Sequence, residues 1–207
     1  MDALSNNFLD LPTAAESANI IDSLPREITN SVTGDRLNII HSVADGFDSV
    51  KIQFTLPPMA IGAPLHYHLN FVETFEVTSG KLEMSVGDAK SKRIVESGER
   101  VTVEKGTPHS FNNPHHEPVI FVSEAQPAAE FEKFIRSMYG LANDGKTNKD
   151  GMPTNFLHLA LILDYADLNF PQVPGVLQTF VRKTLADFAR KIGAENGLKK
   201  YYEPKVN

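Results

Sequence analysis

The stretch "GAPLHYHLNFVETFEVTSG", residues 62–80, places two histidines one residue apart and follows them with two glutamates, Glu73 and Glu76. Alternate residues of an extended strand point to the same face, so His66 and His68 present two imidazoles on one side, roughly 6.5–7 Å apart along the chain. That spacing can chelate one ion. Phe75 and Val77 share parity with Glu73, whereas Glu76 shares parity with Thr74 and Thr78. If the bulky apolar pair faces the interior, Glu73 does too, and Glu76 lies in solvent. An isolated carboxylate in an apolar interior is costly or gives up its charge, so a buried Glu73 needs a compensating cation. A divalent metal supplies one.

One more imidazole would complete a four-ligand set that leaves positions open for water or substrate. Residues 98–113, "GERVTVEKGTPHSFNN", offer it. Val101 and Val103 mark the inward face of a strand, Gly106 opens a turn, and Pro108 fixes the backbone before His109. His109 shares parity with Phe111 and so points inward. The other histidines fit less well. His115 and His116 fall in a turn, His41 ends a strand, and His158 sits in an apolar helix, where a hydrogen-bonded structural histidine is the ordinary finding. No Gly-rich phosphate loop and no Gly-x-Ser-x-Gly elbow is present.

Around these two segments, residues 36 to 126 read as short alternating or apolar runs broken by Gly, Pro and Asn/Asp clusters, which is the pattern of antiparallel strands in a sandwich or barrel. "PLHYHL" is among the expected strands. From Pro127 the period becomes helical. "AAEFEKFIRSMYGL" sets Phe131, Phe134, Ile135, Met138 and Leu141 on one side. "TNFLHLALILDYADL" is apolar nearly all round, the mark of a helix buried between layers or at a subunit contact. In "GVLQTFVRKTLADFARKIGA" a stripe of Leu177, Phe180, Val181, Leu185, Phe188 and Ile192 lies opposite Arg182, Lys183, Arg190 and Lys191. Such a helix is expected to dock its stripe on its own protein and keep its charged side in water; lying on a membrane surface is the other use of the pattern.

Residues 62–113 resemble the two-part signature of the cupin superfamily. Its first motif runs from a glycine to His-x-His, then three or four residues to Glu and six to Gly. Here it reads His66, His68, Glu73 and Gly80, with Gly62 standing closer to His66 than is usual. The second motif runs through Gly98, Gly106, His109 and Asn113. Glu104 stands where the pattern usually has proline, which implies a looser turn before His109. The resemblance implies a mainly β fold, an antiparallel jelly-roll barrel of the quercetin dioxygenase-like, RmlC type, with the metal inside and one open mouth. The expected organisation is an N-terminal arm over 1–30, the barrel over 31–126 and an α-helical extension over 127–207, packed on the barrel or on a partner subunit.

The expected metal ligands are therefore His66, His68, Glu73 and His109, with Glu73 able to act as a catalytic base; Fe, Mn, Ni, Zn, Co and Cu all suit this donor set. Phe54, Leu56, Phe75, Val77, Met84, Val101 and Phe111 are expected to line the pocket. No Lys or Arg joins them, so an apolar or aromatic small molecule fits the lining better than a sugar phosphate. A dioxygenase is the first functional expectation, a non-catalytic ligand-binding or sensory cupin the second, and a cupin isomerase or lyase the third. In 207 residues of net charge −6, the only compact basic run is "KSKR" at 90–93, which argues against a nucleic-acid partner. The chain contains no cysteine, which excludes disulfides and thiolate chemistry. No apolar run approaches the roughly twenty residues of a membrane span, and no secretory signal pattern opens the chain, so the cytoplasm is expected. The resemblance, together with the apolar helices that need covering, implies a homodimer with the 156–168 helix at or beside the contact.

Overall fold

The computed structural model describes residues 24–204. Its β part comprises β1 (Glu27–Thr29), β2 (Arg36–His41), β3 (Val50–Leu56), β4 (Val72–Ser79), β5 (Lys81–Val86), β6 (Lys92–Glu96), β7 (Arg100–Val103), β8 (His109–Asn112) and β9 (Val119–Gln126). Six strands form one sheet in the order β1-β2-β3-β9-β4-β7, and three form another in the order β6-β5-β8. The pairings between named strands are antiparallel. This is the jelly-roll arrangement, but the two sheets face each other without closing into one hydrogen-bonded barrel. β1 falls within the stretch that the sequence assigns to an arm, and residues 1–23 of that arm lie outside the described residues.

Alternation places the core between the sheets. β3 buries Val50, Ile52, Phe54 and Leu56 and turns Lys51, Gln53 and Thr55 outward. Its neighbour β9 buries Val119, Phe121, Ser123 and Ala125, in register with β3 on one side and β4 on the other. Two motif glycines have stated work in this packing. Gly80 takes a positive φ of 82° in the turn between β4 and β5, and a Cβ there would lie 2.6 Å from the Pro118 carbonyl oxygen. A Cβ on Gly62 would lie 2.3 Å from the carbonyl oxygen of Phe111, so glycine lets the loop before His66 lie against β8. Asn113, fully buried at the end of the second motif, donates to the carbonyls of Pro57 and Glu117 and ties two loops together.

The segment "PLHYHL" is not a strand. It makes single bridges, His66 with His109 and Tyr67 with Asn169, because its two sides are held by different parts of the chain. On one side β8 accepts it as a short extra rung of the small sheet. On the other it meets the helical extension.

That extension comprises α1 (Phe131–Asn143), α2 (Phe156–Tyr165), α3 (Gly175–Lys191) and α4 (Asn196–Tyr202), the last without a counterpart in the sequence reading. α1 joins the two parts of the molecule. Phe131, Ile135 and Tyr139 enter the core of the sheets, while Leu141 joins a second core with Leu161, Ile162, Tyr165, Ala186, Ala189 and Leu198. Burial of each large side chain stabilises the fold by about 1.5–3 kcal/mol.

α3 departs from expectation. Its buried residues are Arg182, Ala186 and Ala189, while Leu177, Phe180, Val181, Phe188 and Ile192 are exposed. The helix docks through the small side of its surface, and among the described residues the apolar stripe stays exposed. The cause is an ion pair. Arg182 meets Asp167 at 2.6 Å and donates to the carbonyl of Leu163, so the guanidinium is drawn inward and the stripe is turned out.

Candidate metal centre

His66, His68, Glu73 and His109 are brought together from the loop before β4, from β4 itself and from the start of β8. All four are buried, and one ligand atom from each lies within 4.8 Å of the others. The parity argument explains how Glu73 arrives: β4 pairs Glu73 with Val103 and Ala125 and buries it, with Phe75 and Val77, while Glu76 is exposed. His66 and His109 exchange backbone hydrogen bonds at 2.9 and 2.7 Å, which sets their rings side by side, centroids 4.3 Å apart and tilted by 51°. The turn before His109 is closed by the Thr107 amide donating to the Glu104 carbonyl at 3.0 Å, so the missing proline leaves no loose turn here.

The ring nitrogens are oriented by backbone carbonyls. Nδ1 of His66 lies 2.7 Å from the Pro64 oxygen, Nδ1 of His68 lies 2.7 Å from the Ala166 oxygen, and Nδ1 of His109 lies 3.1 Å from the Thr107 oxygen. A carbonyl only accepts, so each Nδ1 carries a proton and donates it. Nε2 is then left to bind elsewhere. Glu73 Oε2 lies 3.2 Å from Nε2 of His109 and 3.7 Å from Nε2 of His68, while its Oε1 accepts from the Ser123 hydroxyl at 2.6 Å. His68 Nε2 is buried and has no hydrogen-bond partner. Nitrogen lone pairs and a carboxylate crowded at one buried point need a proton or a cation among them, and an orphaned Nε2 is the signature of the latter. The donor set and its geometry fit a divalent metal.

Electrostatics agrees. Burial, and then the neighbouring His109 and His68, push His66 down to about 3, and burial chiefly pushes His68 down as well. Both rings are thereby kept neutral and able to bind a metal at neutral pH. Burial alone would raise the Glu73 carboxyl, but the contacts with His109 and His68 and the Ser123 hydroxyl outweigh it and hold the group down at about 2. The carboxylate is charged and poised as an anionic ligand.

The expected pocket residues lie beneath this point, but they fill space rather than line it. Phe75, Val77 and Met84 have no exposed surface, Phe54, Leu56 and Val101 are buried, and only Phe111 is half-buried. Across the interior Phe54 stacks on Phe121, Phe121 meets Phe111 edge-on, and Phe111 lies tilted against Phe75. Inward parity identifies core residues; it does not say whether a cavity remains between two sheets packed face to face. The remaining exposure at the centre is 4–6% on His66, His68 and Glu73, against 1% on His109, so approach is from the side of the loop. There Phe71 stacks on His68 at 4.2 Å and Phe131 of α1 meets both rings edge-on.

Several residues that serve the site were not identified from the sequence. Ser123 could have been found, as the polar residue on the inward parity of "PVIFVSEA". Asp167 could not. It sits after α2 with a positive φ of 48°, its carboxylate accepting from the amides of Leu69 and Asn70 at 2.6 and 2.9 Å and pairing with Arg182. Asn169 exchanges backbone bonds with Tyr67. The helical extension thus grips the loop that carries His66 and His68. Of the other histidines, His41 stacks on Phe47, His116 is exposed and His158 lies in α2, none of them at the centre.

Residues 52–123 match the family described as the cupin domain. No curated protein matches the chain. Similar solved structures include a sugar phosphate isomerase of the cupin superfamily from Silicibacter pomeroyi, with 19% identity, 58% of this chain and 68% of that one covered, and a TM-score of 0.41. The polyketide cyclase RemF from Streptomyces resistomycificus is 21% identical over 50% of this chain and 68% of its own, with a TM-score of 0.41. An RmlC-like cupin from Shewanella frigidimarina is 17% identical over 52% and 88%, with a TM-score of 0.43. Likeness of this degree carries nothing about activity. Among the described residues no helix is long and apolar enough to cross a membrane.

Proposed function

With residues 52–123 a cupin domain whose four donors meet at one buried point, we propose that the protein is a metal-dependent cupin acting on a small, largely apolar or aromatic molecule, in the manner of a dioxygenase. The observation that supports it best is the arrangement of the histidines: each gives its Nδ1 proton to a backbone carbonyl, which leaves Nε2 for a metal. His66, His68, His109 and Glu73 would hold a divalent ion, which supplies Lewis acidity and, if redox-active, electrons for dioxygen chemistry.

The chain's own groups define the rest. Phe71 and Phe131 pack as buried rings against His68, which makes the wall of the centre aromatic, and among the described residues no Lys or Arg hydrogen-bonds or ion-pairs with the four donors. A phosphorylated substrate would lack a counter-charge there, whereas an aromatic diol or diketone needs none. Glu73 is the proton acceptor of the centre. With its carboxyl held near 2 it is a ligand before it is a base, and it takes a substrate proton only as its contacts with His109 and His68 loosen.

A second reading, a non-catalytic sensory cupin, is supported by the grip of Asp167 and Arg182 on the histidine loop, which would link ligand occupancy to the helices. The two are separated by measuring dioxygen consumption of the iron-, manganese-, nickel- and copper-loaded protein with catechols and aromatic diketones. Stoichiometric uptake with oxygenated product favours the enzyme. Saturable binding without uptake removes the dioxygenase reading and leaves the sensor.

A further inference from the structure

Among the described residues, the apolar stripe of α3 is a feature that the metal centre leaves unexplained. Val176 is 89% exposed and Phe180 68%, and Leu177, Val181, Phe188 and Ile192 are each roughly half exposed. Such a contiguous patch marks an interaction surface. Beside it, a groove between α3 and the histidine loop is lined by Tyr67, Leu69, Val176, Phe180 and Thr184, which extends the apolar area toward the metal centre.

We propose that this face pairs with the same face of a second copy, the two α3 helices antiparallel about a two-fold axis passing beside Thr184. Self-complementarity is what selects this occupant. At 100° per residue, Leu177, Phe180, Val181, Thr184 and Phe188 form one stripe, with Lys183 and Asp187 together on one flank of it. A two-fold antiparallel pair brings the same flank of both helices together in opposite order. Lys183 then faces Asp187 of the second copy and Asp187 faces Lys183 of that copy, while Phe180 packs beside Phe188 and Leu177 beside Ile192. Thr184, small and central, lets the helices approach. A membrane surface is the poorer occupant, because the flank carries both signs and the chain is net negative at −6. The pairing also places the contact on the helix whose opposite face holds Arg182, so the second copy braces the helix that grips the histidine loop.

The absence of cysteine makes the geometry directly testable. Thr184→Cys places one thiol per chain beside the proposed axis, and mild oxidation should yield a covalent dimer, whereas Lys90→Cys, in the exposed β5–β6 turn, should not. Light scattering should show a dimer for the parent chain and a monomer for Phe180→Asp, with unchanged circular dichroism and metal content, because that ring is 68% exposed and joins neither core of the described residues. Lys183→Asp should weaken the dimer roughly tenfold or more by setting like charges opposite, and adding Asp187→Lys should restore it. A parent chain that stays monomeric, a dimer indifferent to Phe180→Asp, or a Thr184→Cys chain that fails to cross-link would each overturn the proposal. So would a monomer that binds anionic vesicles and releases them on Phe180→Asp.

Discussion

The backbone carbonyl of Ala166, just past the end of α2, lies 2.7 Å from Nδ1 of His68. A residue of the helical extension therefore fixes the tautomer of a candidate metal ligand in the β domain. The next residue, Asp167, holds the amides of Leu69 and Asn70, and Arg182 holds Asp167. The histidine loop has no ladder of its own on this side; the extension supplies the restraint that strand pairing supplies elsewhere.

Removal of a ligand is the most direct check on the centre. His66→Ala and His109→Ala should each abolish stoichiometric metal, whereas His116→Ala, an exposed turn residue, should retain it. Metal analysis of the three proteins, purified without chelator, decides the matter. Equal metal in all three would remove the ligand assignment.

The carboxylate prediction turns on strand parity. Glu73→Gln replaces a charged donor by a neutral one and should weaken metal binding strongly. Ser123→Ala frees Oε1 from its 2.6 Å hydrogen bond and should weaken it about 10–100-fold, as loss of an orienting partner commonly does. Glu76→Gln, on the solvent face of β4, should change little. Competition titrations with a chromogenic chelator give the order, and an order with Glu76 first would mean that the register of β4 is slipped.

Parity is also what made so much of the molecule legible. The inward set of β4, β7 and β8 follows from period two alone, and with the motif spacings it picks out the four residues that the structure brings together. Two things were not readable. Whether Phe75, Val77 and Met84 line a cavity or pack solid depends on how closely the sheets approach, which no single strand encodes. The orientation of α3 departs from its pattern for a related reason. Its stripe obeys the rule for a docked helix, but burial of the Arg182–Asp167 pair, 15 residues apart in sequence, decides which side faces in.

That pair should be costly to break. Arg182→Met leaves Asp167 charged, buried and short of a partner, and should destabilise the fold by about 3–5 kcal/mol. Asp167→Asn, which keeps the shape and can still accept from Leu69 and Asn70, should cost less in stability. Both should lower metal affinity while leaving the donors in place. Thermal unfolding with and without added metal separates the two effects. Unchanged affinity in both variants would show that the grip on the loop does nothing for the centre.

The metal-free protein should lose stability as the pH falls below 6.5. His66 has its folded value depressed to about 3, so below its ordinary 6.5 the unfolded chain takes up a proton that the folded chain refuses. Glu73, depressed from 4.5 to about 2, works in the same direction below pH 4.5, since only the unfolded carboxylate is protonated there. Between pH 6.5 and 5 the His66 contribution amounts to at most about 2 kcal/mol. Denaturant midpoints of chelator-treated protein at pH 7.5 and 5 should therefore differ, and His66→Gln should flatten that part of the profile. A midpoint independent of pH over this range would contradict the burial that the structure gives His66.

Truncation after Gln126 tests whether the helices belong to the same folded body. It removes Phe131, Ile135 and Tyr139 from the core of the sheets, the Phe131 ring from beside His68 and Phe71, and the Ala166 carbonyl from His68. The loss of three large buried side chains alone costs several kcal/mol, comparable with the whole net stability of a domain, and it bares the apolar surface they covered. The loop from Tyr67 to Asn70 also loses its bonds to Asn169 and Asp167, so the two candidate ligand histidines are no longer held at their spacing. The truncated chain should be insoluble or melt far below the full chain, and any soluble fraction should bind metal weakly. A soluble truncated chain with full metal content and unchanged melting would mean that the β domain builds the centre unaided, and the role assigned here to Ala166, Asp167 and Arg182 would have to be given up.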